Sequence, residues 1–186
     1  ICDASKRGVD EDVVLTACLT HDLGNILKMD FDVFPDTWEP EGIPYWSWVK
    51  EGLREKYGDD EHTATSLMAK EIGVSQEIQD IVDACGFSKM TDAFESKNVP
   101  LMMLGYCDMR VMPHGIHSLQ KRIDDLYVRY QTKISALPRK KKDFEVNRQA
   151  TFAIEEYLFS GLPIKPEDIN DESTKETVEK LKDYEM

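Results

Sequence analysis

Apolar residues recur at helical spacing along the chain and alternate in no run, which predicts an all-α fold of about seven helices. In VVLTACLTHDLGNILK, residues 13–28, Val14, Ala17, Cys18, His21 and Asn25 fall at i, i+3, i+4, i+7 and i+11. That is one face of a helix, capped by Asp10, with Gly24 marking its weakening or end just after His21 and Asp22. Pro44 opens a second helix with Trp46, Val49, Leu53 and Tyr57 as its stripe, stopped by Gly58. A third follows Asp59 or Asp60. It turns Leu67, Met68 and Ile72 inward and puts His62, Thr65, Ser66 and Ala69 on a more polar stripe. Ser75 caps a fourth over 76–85, closed by Gly86, with Val74, Ile78, Ile81, Val82 and Cys85 inward.

The segment FSKMTDAFESKN, residues 87–98, lacks clear periodicity and reads as a loop with one helical turn. Pro100 then starts a helix that sets Leu101, Leu104, Asp108 and Val111 on one stripe. Ser118 caps a long helix carrying Leu119, Ile123, Leu126, Tyr127, Tyr130 and Ile134, ended by Pro138. RKKK, residues 139–142, opens another through Phe144, Ile154 and Leu158 to Gly161. From Pro163 the chain turns polar, and Ser173 with Glu176 makes a capping-box pattern for a short last helix. The expected organisation is one domain over 1–162 and an acidic tail over 163–186, docked weakly or not at all.

At 186 residues the chain is long enough for a real core. Its formal charge of -13, from 36 acidic against 23 basic residues, disfavours nucleic-acid polymers and anionic membranes as partners. One phosphate can still be drawn in locally by a metal ion. Cys2, Cys18, Cys85 and Cys107 lie far apart, form no CxxC and fall mostly in apolar runs. They read as buried thiols of a reducing compartment. No signal peptide or membrane-spanning run is visible, and the expected location is the cytoplasm. The opening ICDASKRG reads as the last turn of a helix near Cys2 and its exit.

Candidate chemistry gathers at two places. His21 beside Asp22, inward at a helix end, offers a neutral imidazole and a carboxylate, which together suit a divalent cation. Two ligands are not a site, and a lone His beside an Asp on an apolar face is more often a core histidine satisfied by its neighbours. Asp108 is a carboxylate on an apolar face, so it needs a cation or a set of donors as partner. Arg110, two residues on, points away from it on a helix. His62 reads as an exposed residue beside a helix cap, and His114 and His117 in MPHGIHS as a solvated turn. Trp38, Tyr45, Trp46 and Trp48 either wall a cleft or belong to the core.

The wording LTACLTHDLGNI, with YCDMRV later, resembles the HD-domain superfamily of metal-dependent phosphohydrolases over roughly residues 1–135. The run from ICD through HDLGNILK, DDEH, GFSK and YCDMRV is similar to small microbial HD-domain proteins described only as hydrolases. The resemblance implies a helical bundle in which His21, Asp22, Asp108 and a further His upstream of Ile1 hold one divalent ion, Mn, Fe, Ni, Co or Mg. It implies that Asp22 orients the nucleophile, and that His62 and Arg110 contact a phosphorylated substrate, a phosphomonoester or diester of nucleotide type. The alternative is a non-catalytic metal- or nucleotide-binding signalling module with the same fold. Members holding two metals use one extra histidine where His62 stands and one or two more where this chain has Ala84, Cys85 and Gly86. A buried Cys85 is a poor substitute, so the expected site is mononuclear.

Overall fold

The computed structural model describes residues 8–33, 35–136, 138–181 and 184, and of 132–136, 138 and 139 the backbone alone. The expected helix exit at Cys2, the Cys2 thiol and the Ile134 side chain lie outside the described residues. Helices dominate, and among the described residues the only strands form one short hairpin, so the fold is all-α. The chain divides into two compact units, one of Leu19–Asp83 and the other of the chain on either side of that segment.

The first helix, α1 (Glu11–Thr20), begins with the Asp12 amide donating to the Asp10 carboxylate at 3.0 Å, as the capping pattern predicts. Val14 and Ala17 are buried and Cys18 and His21 half-buried, which is the expected face. The helix ends at Thr20, ahead of His21 and Asp22 rather than after them, and a 3-10 helix over Leu23–Lys28 comes next.

In the Leu19–Asp83 unit, α2 (Gly42–Tyr57) ends on Gly58 at φ +87°, and α3 (Glu61–Glu71) is capped by Asp60, which accepts from the Thr63 amide at 2.8 Å. Leu27, Ala64 and Met68 form the core, flanked by Leu23, Ile26, Leu53 and Tyr57. The inward face of α3 differs from the expected one. Ala64, Thr65, Met68 and Ala69 are buried, while Leu67 and Ile72 are 44% and 54% exposed. Thr65 faces inward because the 3-10 helix comes against α3 there, with the Gly24 amide donating to its hydroxyl at 2.9 Å. Ser75 caps α4 (Gln76–Asp83), which buries Ile78, Ile81 and Val82.

In the other unit, residues 87–98 are more ordered than their periodicity suggests. A 3-10 turn leads into α5 (Met90–Ser96), which buries Met90 and Ala93 and is held by Asn147, whose side-chain oxygen accepts from the Thr91 amide and hydroxyl, each at 3.0 Å. Asn98 caps α6 (Val99–Asp108), in which Leu101 to Tyr106 are all buried. The chain then forms a hairpin, β1 (Val111–Met112) against β2 (Gly115–Ile116), so Val111 leaves the helical stripe and is 53% exposed. The helices α7 (Leu119–Ala136) and α8 (Pro138–Phe159) enclose a core of Met109, Leu119, Ile123 and Leu126, against which Phe87, Phe144 and Phe152 pack.

The tail is docked, contrary to expectation. Ile169 is buried, the carbonyls of Pro166 and Ile169 accept from Arg110, and Asp171 accepts from the Ile116 amide at 2.8 Å. The last helix, α9 (Asp171–Leu181), starts earlier than Ser173 predicts. Asn170 is its cap: its side-chain oxygen accepts from the Ser173 amide and its own backbone amide donates to the Ser173 hydroxyl, at 3.0 Å each.

Candidate metal centre

The His21-Asp22 turn is fixed by the glycine just past it. Gly24 donates to Thr65 Oγ1 at 2.9 Å, and that hydroxyl donates to the Glu61 carbonyl at 2.8 Å. A Cβ on Gly24 would collide with the Glu61 carbonyl and lie 2.8 Å from Thr65 Oγ1, so only glycine admits this approach. A backbone hydrogen bond holds the Glu61 carboxyl below its ordinary range, and Lys28 adds to this with an ion pair at 3.3 Å. Within the turn His21 Nε2 lies 3.5 Å from Asp22 Oδ2. The imidazole is 20% exposed and the carboxylate 55%, so His21 faces inward as expected and Asp22 does not. Asp22 points to solvent because the chain has left the α-helix before reaching it.

Asp108 is the last residue of α6 and half-buried. Its helix packs closely, a Cβ on Gly105 having to lie 2.9 Å from Met90 Sδ. Beside Asp108, Cys107 is hydrogen-bonded to Cys18. That bond first, then burial, with the Asp108 carboxylate adding to them, push the Cys18 thiol far up, so it stays protonated. Cys18, Cys85 and Cys107 are half-buried rather than buried as their apolar settings predict. Their convergence from three distant segments is invisible in the sequence, which has no spacing motif to announce it.

His21, Asp22 and Asp108 form one group that could hold a metal ion, each offering a ligand atom within 4.8 Å of the other two. An imidazole nitrogen and two carboxylate oxygens are a mixed donor set that fits Mn, Fe, Co, Ni or Mg without sharp discrimination. Among the described residues no other group of three such side chains meets that criterion.

The remaining candidates fall elsewhere. His62 stands in the first turn of α3 with its side chain 83% exposed, 4.0 Å from Glu61, and is not part of the group. Arg110 does not face a substrate. It is 5% exposed, and its guanidinium donates to the carbonyls of His117, Pro166 and Ile169 and to the Tyr106 hydroxyl. Sequence neighbours alone could not show this, since two of those acceptors lie 56 and 59 residues away. His117 sits 3.3 Å from Lys121, and neither it nor His114 joins the metal group. Trp38, Trp46, Tyr45 and Trp48 contact one another in a row of rings beside Phe31. The cavity nearby, about 460 Å³, is lined by Phe31, Ile43, Ser47, Lys50 and Arg54 among others and by none of those four aromatics.

No family model, curated protein or solved structure matches the chain.

Proposed function

We propose that the chain is a metal-dependent phosphohydrolase of HD type, acting on a phosphomonoester or phosphodiester with a nucleotide as the substrate class. The observation that carries this reading is the His21, Asp22 and Asp108 group, whose ligand atoms lie within 4.8 Å of one another. The resemblance of LTACLTHDLGNI and YCDMRV to HD ligand segments, in the same order, supports it. A divalent ion held there supplies an acidified water and a Lewis acid for a phosphoryl oxygen. The chain's own residues do the rest. His21 contributes an imidazole nitrogen on a ring largely shielded from solvent just past the end of α1. The Asp22 carboxylate, 55% exposed, has an oxygen to spare for accepting a proton from the attacking water and orienting it. His62, exposed in the same unit, donates a hydrogen bond to the substrate phosphate.

The test is phosphate release from p-nitrophenyl phosphate, bis-p-nitrophenyl phosphate and a set of nucleotides, with Mn²⁺ added or chelated. The reading expects metal-dependent turnover that disappears in Asp22→Ala and Asp108→Ala. His62→Ala should lower turnover while bound metal is unchanged. Stoichiometric metal with no turnover of any phosphoester contradicts the enzyme and leaves a non-catalytic metal- or nucleotide-binding module.

A further inference from the structure

We propose that Arg110 is a positioning residue for the Asp108 carboxylate, and that the C-terminal strap Pro166–Ile169 belongs to the metal centre through it; this rests on the metal reading above. Arg110 lies two residues beyond Asp108, in the turn that closes α6. That turn keeps helical geometry past the last helical residue. The Met109 amide donates to Gly105 at 3.1 Å and the Arg110 amide to Cys107 at 3.0 Å. Tyr106 and Arg110, four residues apart, therefore share a side of the last turn, and the guanidinium donates to the Tyr106 hydroxyl. Asp108 stands two residues from each, so its side chain projects to the other side. The Tyr106–Arg110 staple thus sets the rotation of the turn, and with it the direction of the carboxylate.

The staple is anchored from three further places. Arg110 Nε donates to the His117 carbonyl at 2.5 Å, and Nη2 to the Pro166 and Ile169 carbonyls at 3.1 and 3.0 Å. The Tyr106 hydroxyl donates to Glu155 at 3.0 Å, and Glu155 lies 3.9 Å from Arg110 Nη1. A guanidinium holds its donors in a fixed planar fork, so the Tyr106 hydroxyl, the carbonyl just past the hairpin and those of the strap together leave it one orientation. A lysine ammonium cannot reach so many acceptors in one plane. Nη2 takes both of its acceptors from the strap in this buried site, so displacing the strap frees the guanidinium from its fixed orientation and the turn with it.

The experiment is calorimetric titration of Mn²⁺ into the full chain as wild type, Asp108→Asn, Tyr106→Phe, Arg110→Lys and Ile123→Val. Ile123→Val shrinks a core residue that takes no part in the clamp. Tyr106→Phe keeps the ring packed and removes only the hydroxyl, so it decides the matter even where Arg110→Lys fails to fold. The inference expects Asp108→Asn to abolish binding. Tyr106→Phe and Arg110→Lys should weaken it about tenfold with helix content by circular dichroism unchanged. Ile123→Val should lower Tm with wild-type Mn²⁺ affinity. Wild-type affinity in Tyr106→Phe, or an equal loss in Ile123→Val, overturns the inference while the metal reading stands. No binding by the wild type overturns the metal reading and the inference together.

Discussion

A methyl group on Gly24 has nowhere to go, facing the Glu61 carbonyl and Thr65 Oγ1. Gly24→Ala is therefore expected to push the 3-10 helix off α3 and to destabilise the fold by about 1–3 kcal/mol, read as a fall in Tm. Thr65→Val removes the acceptor of the Gly24 amide, itself buried, and is expected to destabilise by about 1–2 kcal/mol. Because the two residues share one contact, the double variant should lose less than the sum. An unchanged Tm in Gly24→Ala would contradict the packing of Gly24 against α3. Gly24 is a position that the sequence reveals only by half. Its interruption of the helical pattern is visible, but not that another helix's backbone comes against it. Arg110 is similar, since its neighbours in sequence say nothing of acceptors contributed by the strap. Local devices are legible: Asp10, Asp60, Ser75 and Asn98 or their near neighbours announce helix starts, because capping is decided within three residues.

Among the elements, α3 depends on its cap and the strap on its one buried apolar side chain. The Thr63 amide and hydroxyl hold the Asp60 carboxyl below the ordinary aspartate range. A carboxyl whose folded pKa is lowered adds stability above its unfolded pKa and loses it as pH falls through the folded one. Asp60→Ala should thus lower Tm at neutral pH, and the gap to wild type should close in acid. A gap that persists or grows in acid would contradict the capping role. Ile169 is 8% exposed, so Ile169→Ala is expected to lower the unfolding free energy by about 2 kcal/mol or more in denaturant. A loosely docked tail would show no change. The order and number of helices are largely legible from periodicity. The face of α3 is not, because Leu67 and Ala64 both fit a helical stripe and only the approach of the Leu23–Lys28 segment chooses between them. The order of residues 87–98 and of the strap escapes the sequence for a related reason. They bury too few apolar side chains to make a stripe, Met90 and Ala93 in one and Ile169 in the other, and their long-range partners, Asn147 and Arg110, leave no mark in the local pattern.

At the scale of the whole molecule, the all-α class follows from a chain with no alternating run, and no helix among the described residues is long and apolar enough to cross a membrane. A formal charge of -13 favours association with divalent cations over polyanions. The site is legible as two landmarks, His21-Asp22 and Asp108, since a histidine and a carboxylate on apolar faces need partners. That they form one group is not, because it depends on how the long stretch of chain between them folds. The account stands on that group binding one ion. Elemental analysis of metal-loaded protein, run on wild type beside His21→Ala, Asp22→Ala and Asp108→Ala, addresses it most directly. The expected result is close to one divalent ion per wild-type chain and loss of that ion in each variant. Equal metal in the four proteins, or two ions per wild-type chain, would contradict it.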